Sequence, residues 1–172
     1  MSIDEAEAVA RLYERYAGAV HAYALRRSDR ESADEVTAQV FLVAWRRRGS
    51  VPEEALPWLY GVARRVLADQ RRGASRRRRL GERLRNVTTE HYHELALPDR
   101  VLAGALRRLS ASDREVLLLC YWEELEPLQM AQVMGCSRAA VAVRLHRARQ
   151  RLARELQRDE QERSCVVGAQ SS

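Results

Sequence analysis

An all-α protein made of two small helical domains joined by a flexible linker is the fold class this sequence predicts, and three observations carry it. Ala, Leu, Arg and Glu dominate a chain of 172 residues in which aromatics are only 6%, a composition that favours helix over strand. Apolar residues recur at helical spacing in separate blocks. Between those blocks residues 73–98 begin with the arginine run Arg76 to Arg79 and become weakly patterned around Asn86 to Thr89, which places the linker there.

The formal net charge is +6, and all 30 basic residues are arginine. Such a balance points to a polyanionic partner, because bound arginines displace counterions from phosphate; a solvated basic surface is the plainer alternative. Cys120, Cys136 and Cys165 form no C-x-x-C pair, so neither a zinc site nor a disulfide framework is indicated. No phosphate loop, metal constellation or nucleophile–base pairing is found, and with them no cofactor and no catalytic residue. The N-terminus is acidic and amphipathic, unlike a signal peptide. No apolar run approaches the ~20 residues of a membrane span. The expectation is a cytoplasmic protein with no membrane insertion.

The first domain is expected over residues 1–72. From about Asp4 to Arg27, Val9, Leu12, Tyr13, Tyr16, Val20, Tyr23 and Ala24 form one stripe of a long helix. Ser28 to Ser32 breaks the pattern, and Ser32 with Glu35 has the spacing of a capping box for a second helix. That helix puts Val36, Val40, Phe41 and Ala44 on its inner face and turns Asp34, Glu35, Ala38, Gln39 and Leu42 elsewhere. Gly49, Pro52 and Pro57 mark Arg46 to Pro57 as a loop, beside which Arg46, Arg47 and Arg48 can neutralise a displaced strand. Helix returns from Trp58 to Arg72, with Leu59, Val62, Ala63, Val66 and Leu67 inward and Arg64, Arg65, Arg71 and Arg72 outward. The linker that follows spans roughly 28 Å as a relaxed coil and up to about 85 Å when stretched.

The second domain is expected over residues 99–158, with a polar tail, 159–172, ending in VVGAQSS. A short lead-in helix covers Asp99 to Leu109. Ser112 with Glu115 reads as the capping box of the next helix, whose apolar face is Val116, Leu117, Leu119 and Cys120. Pro127 suits the first turn of another helix, and Gly135 sits where a chain leaving a helix takes positive φ. Ser137 can cap the last helix, where Ala140, Val141, Leu145, Ala148 and Leu152 recur beside Arg144, Arg147, Arg151 and Arg154. The short turn from Gly135 to Ser137 makes these two helices a helix-turn-helix, whose second helix can enter a major groove.

The blocks Ser112-Asp113-Arg114-Glu115-Val116-Leu117-Leu118-Leu119, Tyr121-Trp122-Glu123, Met130-Ala131-Gln132-Val133-Met134-Gly135-Cys136-Ser137 and Val141 with Arg144-Leu145-His146-Arg147-Ala148-Arg149 resemble region four of bacterial sigma factors, specifically the extracytoplasmic-function (ECF) group of the sigma-70 family. The second helix of the chain and the string Pro57-Trp58-Leu59-Tyr60-Gly61-Val62-Ala63-Arg64 are similar to region two of the same family. The resemblance covers about Leu12 to Leu156. It implies an alternative sigma factor that binds core RNA polymerase and promoter DNA, directs transcription initiation, and is held by an anti-sigma factor.

By the same resemblance, Asp34, Glu35, Val36, Gln39, Phe41 and Trp45 dock on the clamp helices of the polymerase largest subunits. The following loop captures an unstacked base of the minus-ten element, with Arg46, Arg47, Arg48, Arg64 and Arg65 as DNA contacts. Trp58 and Tyr60 serve either to hold open DNA or to pack the core. Ser137, Arg138, Arg144, His146 and Arg147 face the minus-thirty-five element. The chain departs from the family at Glu124, near which glycine is usual, at Arg65, where asparagine is frequent, and at Ala142-Val143, where a basic residue and a serine are usual. Two other functions fit the residues alone: a stand-alone helix-turn-helix regulator, and a helical adaptor that binds only proteins.

Overall fold

The computed structural model describes residues 3–82 and 99–169. Among the described residues every regular element is a helix, and the chain divides into two units, Met1–Glu94 and Leu95–Ser172.

The first unit holds α1 (Ile3–Leu25), α2 (Arg30–Arg46) and α3 (Ala55–Glu82), with a single 3-10 turn at Arg48–Ser50 before α3. Val20, Tyr23 and Ala24 of α1, Val36, Val40 and Ala44 of α2, and Leu59 and Ala63 of α3 are completely buried and form its core. Each large aliphatic so placed stabilises the unit by about 1.5–3 kcal/mol. Tyr23 stacks on Tyr60 with ring centres 4.8 Å apart. Arg27 covers the Tyr23 ring at 3.6 Å and donates through Nη1 to the Tyr23 carbonyl at 3.0 Å. Tyr60 is therefore a core residue, 4% exposed, and does not present its ring to DNA.

Both ends of this unit differ from the sequence reading. The cap of α2 is Asp29, whose carboxylate accepts the Ser32 amide at 2.7 Å, and not Ser32 paired with Glu35. Either residue can cap, and the earlier one wins because the added turn gains backbone bonds such as Ala33 N–H to the Asp29 carbonyl at 2.9 Å. Helix α3 starts at Ala55, which puts Pro57 in its first turn, where a missing amide is harmless. It then continues through Gly73, where the linker was expected to begin, and through the arginine run to Glu82. Arginine is a good helix former, and a helix nucleated on the packed stretch from Ala55 to Leu67 propagates at little further cost. Residues 83–98, the rest of the expected linker, lie outside the described residues.

The second unit holds α4 (Arg100–Arg108), α5 (Ala111–Tyr121), α6 (Pro127–Met134) and α7 (Arg138–Ala169). Leu106, Val116, Leu117, Leu118, Leu119, Met130, Val141 and Ala148 are buried at its centre. Asp99 caps α4, accepting the amides of Val101 at 2.8 Å and Leu102 at 3.2 Å. Arg114 closes the other end of α4: Nε donates to the Leu106 carbonyl at 2.9 Å, and Nη2 to those of Arg107 at 2.9 Å and Leu109 at 3.2 Å. One guanidinium thus satisfies carbonyls that a helix end leaves without partners.

The cap of α5 is Ser110, whose Oγ accepts the Asp113 amide at 3.1 Å, two residues ahead of the expected Ser112 with Glu115. Starting there also carries the Asp113 carboxylate back to the Ser110 hydroxyl, which donates to it at 2.8 Å. The expected tail is likewise helical, since α7 runs on to Ala169. Arg108 of α4 anchors it, donating from Nε to Glu155 at 2.5 Å and from Nη2 to both Asp159 oxygens at 2.7 Å. Hydrogen bonding to Asp159 first, and to Glu155 second, pushes the Arg108 guanidinium above its ordinary value, so it stays charged throughout the accessible pH range.

Candidate nucleic-acid interface and docking face

The turn between α6 and α7 is built by local chemistry. Pro127 opens α6, and the Gln129 side-chain oxygen accepts the Glu126 amide at 2.9 Å. Gly135 leaves the helix at φ 64°, ψ 39°, a left-handed conformation that costs a residue with a Cβ more than glycine. The Cys136 amide then donates to the Ala131 carbonyl at 3.1 Å, and Ser137 Oγ accepts the Ala140 amide at 3.2 Å, which starts α7. These bonds fix where α7 points relative to α6.

On the first turns of α7, Arg138, Ala142, Val143, His146 and Arg147 are exposed, while Val141 and Ala148 are buried beneath them. Ser137 is exposed at the start of the same face, and Arg144 lies half-buried at its flank, with Nη1 3.9 Å from Cys136 Sγ. His146 Nε2 lies 3.0 Å from the Gln150 amide nitrogen. Of the sequence-derived set, Arg144 and Arg147 line one open groove with Val143, while Ser137 and Arg138 line another with Gln132 and Gly135, so the set is spread around the exposed surface of this helix end. Val143, 51% exposed, supplies an apolar surface in the middle of it, which suits a thymine methyl.

Arg151, noted in the sequence only as one of the arginines of the last helix, was not picked as a DNA contact. It lines an open groove with Arg144 and Arg147 of α7 and Ser110 and Ser112 at the start of α5. Its guanidinium donates to the Asp113 carboxylate, which is buried. The hint in the sequence was the Ser110-x-x-Asp113 spacing, which places an acid at the start of a helix beside the arginine-rich one. Arg149 points elsewhere, donating to the Tyr121 hydroxyl at 2.8 Å.

In the first unit, Asp34, Glu35, Ala38 and Leu42 of α2 are exposed, with Gln39 and Trp45 half-buried on the same side. Asp34 Oδ1 lies 2.9 Å from His21 Nε2, and Gln39 donates to Glu35 at 2.9 Å, so the acidic end of the face is fixed in place. Leu42, 47% exposed, and Trp45 make the other end apolar. Val36 and Phe41, also picked as docking residues, are 0% and 7% exposed. Both pack with Val40 and Ala44 in the buried stripe of α2, which holds the helix in place.

Arg46 and Arg47 are exposed at the end of α2, while Arg48 is half-buried, donating to the Trp45 carbonyl at 3.1 Å and covering the Trp45 ring at 5.7 Å. Arg65 is exposed on α3, and Arg64 half-buried. Among the described residues no group of three His, Cys, Asp or Glu side chains is arranged to hold a metal ion. No helix there is long and apolar enough to cross a membrane.

Comparison with known proteins agrees with this geometry. The family model for sigma-70 region 2 matches residues 12–77, and that for sigma-70 region 4 matches residues 99–152. The chain is 32% identical over 152 residues to the ECF RNA polymerase sigma factor SigL of Mycobacterium tuberculosis, covering 84% of this chain and 86% of that one. It is 31% identical over 165 residues to the ECF RNA polymerase sigma factor BldN of Streptomyces coelicolor, covering 90% of this chain and 62% of the relative. Its fold is similar to that of the sigma factor RpoE of Bartonella quintana, solved in complex with the anti-sigma factor NepR, at a TM-score of 0.68, 22% identity, and coverage of 86% of this chain and 95% of that one. With region 2 and region 4 both present and relatives above 30% identity along most of its length, the chain belongs to the sigma-70 family, in the ECF group of RNA polymerase sigma factors.

Proposed function

We propose that this ECF sigma factor works by dividing promoter recognition between its two units, residues 1–72 and 99–158, while the outer face of α2 holds core RNA polymerase. Asp34, Glu35 and Gln39 form the polar end of that docking face, and Leu42 with Trp45 the apolar end. Charged ends steer association and apolar ones supply buried area. The observation that supports this most is the separation of α2 into a buried stripe and an outer stripe in which Asp34, Glu35, Ala38 and Leu42 remain exposed among the described residues.

Arg46, Arg47, Arg48, Arg64 and Arg65, around the turn from α2 to α3, contact the melted minus-ten strand. The exposed end of α7 reads the minus-thirty-five element in duplex form. Catalysis belongs to the polymerase: the sigma factor binds melted and duplex DNA differentially and makes no bond itself. It acts in the cytoplasm, and an anti-sigma factor that covers the docking and DNA-binding faces is its regulator.

The test is a titration of core polymerase with the full chain and with Asp34→Arg/Glu35→Arg. The double variant is expected to bind core at least about tenfold more weakly, since reversal at a complementary interface costs several kcal/mol, while its affinity for upstream-element duplex stays the same. Unchanged affinity for core would remove α2 as the docking face.

A further inference from the structure

Helix α7 brings Arg144, Arg147 and Arg151 to one open groove, whose other wall is the start of α5 with Ser110, Ser112 and Asp113. Arg144 and Arg151 are seven residues apart, which puts them about 20° off a common line and about 10 Å apart along the helix. Arg151 therefore continues the row that Arg144 and Arg147 begin. Of the three, Arg151 alone is held by a carboxylate among the described residues, its Nη1 donating to Asp113 Oδ2. Asp113 is in turn fixed by the cap of α5: its amide donates to Ser110 Oγ at 3.1 Å, and that hydroxyl donates back to the carboxylate at 2.8 Å.

The carboxylate is buried, while about half of the Arg151 side chain is exposed. A DNA phosphate that drew Arg151 away would leave a buried carboxylate without its counter-charge, which is costly, and would bring a second negative charge beside it. An arginine on phosphate raises affinity for every sequence alike, whereas a promoter has to be found among a genome of other duplex. We propose that Asp113 is a positioning residue that withholds Arg151 from the DNA backbone, and so keeps the sequence-independent affinity of α7 low while Arg144 and Arg147 remain available to the bases. This rests on the reading of α7 as the upstream-element helix, and adds to it a residue that sets how weakly the wrong sequences bind. A pair that only fastened α5 to α7 would change the melting temperature and leave the salt dependence of DNA binding alone.

The experiment uses the full chain and two duplexes of about 30 base pairs, one carrying the upstream element defined by start mapping and one with that element scrambled. Asp113→Asn, which keeps the shape of the side chain and an acceptor for Ser110, should bind the scrambled duplex about eightfold more tightly at 0.1 M salt. Its log K against log salt should steepen by about 0.9, the contribution of one added phosphate contact. The scrambled duplex should gain at least as much as the matched one, and Asp113→Asn/Arg151→Gln should return both the affinity and the slope to those of the unsubstituted chain. Unchanged binding by Asp113→Asn overturns the proposal, as does a gain that survives in the double variant, since Arg151 would then not be its source. Should Asp113→Asn melt before binding can be read, the Arg151 Nε–H resonance of the unsubstituted chain decides. It should stay in place at saturating scrambled duplex, and a shift as large as that of Arg147 overturns the proposal. An unsubstituted chain that does not distinguish the two duplexes would sink the reading of α7 along with it; one that distinguishes them, with Asp113→Asn behaving identically, sinks the restraint alone.

Discussion

Arg151 and Asp113, 38 residues apart in sequence, join the middle of α7 to the start of α5 through a guanidinium–carboxylate hydrogen bond, and the Ser110 hydroxyl donates to the same Asp113 oxygen at 2.8 Å. The carboxylate is buried, with a side chain 6% exposed, whereas Arg151 is 52% exposed. The two partners are therefore unequal: removing the acid empties a buried hydrogen-bonding site, and removing the arginine leaves an acid that still has Ser110.

Asp113→Ala is expected to destabilise the second unit by about 1.5–3 kcal/mol, the range for hydrogen bonds to a charged group. Arg151→Ala should cost less, because much of the arginine's interaction is screened by solvent. Urea denaturation of the full chain, followed by amide exchange in α5, checks both.

Glu124 sits at φ 51°, the only non-glycine residue with positive φ among those described. The left-handed region costs a residue with a Cβ about 1–2 kcal/mol, and glycine returns part of that gain through its freer unfolded chain. Glu124→Gly should raise stability by up to about 1 kcal/mol, and Gly135→Ala should lower it by about the same. For a unit this small, 1 kcal/mol moves the melting temperature by about 4–8 °C, which calorimetry resolves.

The family's usual glycine near Glu124 was visible as a departure in the sequence, but its backbone meaning appears only with the dihedral angle. The helices themselves were legible because a stripe such as Val36, Val40 and Ala44 requires burial at a fixed spacing. Where each helix begins was less so: Asp29 and Ser32, or Ser110 and Ser112, are equally good caps by type, and backbone bonding decides between them. The ends of α3 and α7 were misplaced for a related reason, because polar arginine- and glutamate-rich sequence extends a helix without leaving any apolar period to read. Among the docking residues, resemblance brought together positions that serve different purposes. Phe41 and Leu42 are neighbours in the chain, yet one packs the core and the other faces solvent.

That pair separates structure from docking. Phe41→Ala should destabilise the first unit by about 3–5 kcal/mol, as for other buried phenylalanines. Leu42→Arg should leave stability within about 0.5 kcal/mol, the ordinary range for exposed positions, while weakening core binding. Thermal melts alongside the polymerase titration distinguish the two; a Leu42→Arg chain that binds core normally would restrict the docking face to its polar end.

At the other interface, Arg144→Ala or Arg147→Ala should weaken upstream-element binding, and at least one should relax base preference by about 1–3 kcal/mol, the discrimination an arginine paired to guanine provides. Ala142 and Val143 carry no side-chain donor, so more of the readout is expected to fall on these arginines. Competition with single-base variants at fixed salt decides: equal loss for every variant would make both arginines phosphate contacts.

The most direct test of the division of labour between the two units is transcription by core polymerase with and without this chain on fragmented DNA from its own host, with every RNA 5′ end mapped. The account predicts a small set of starts that require the chain, each preceded by two shared sequence elements at constant spacing, and sensitive to that spacing when base pairs are inserted between them. Starts that appear without the chain, or that share a single element and tolerate any insertion, would contradict it.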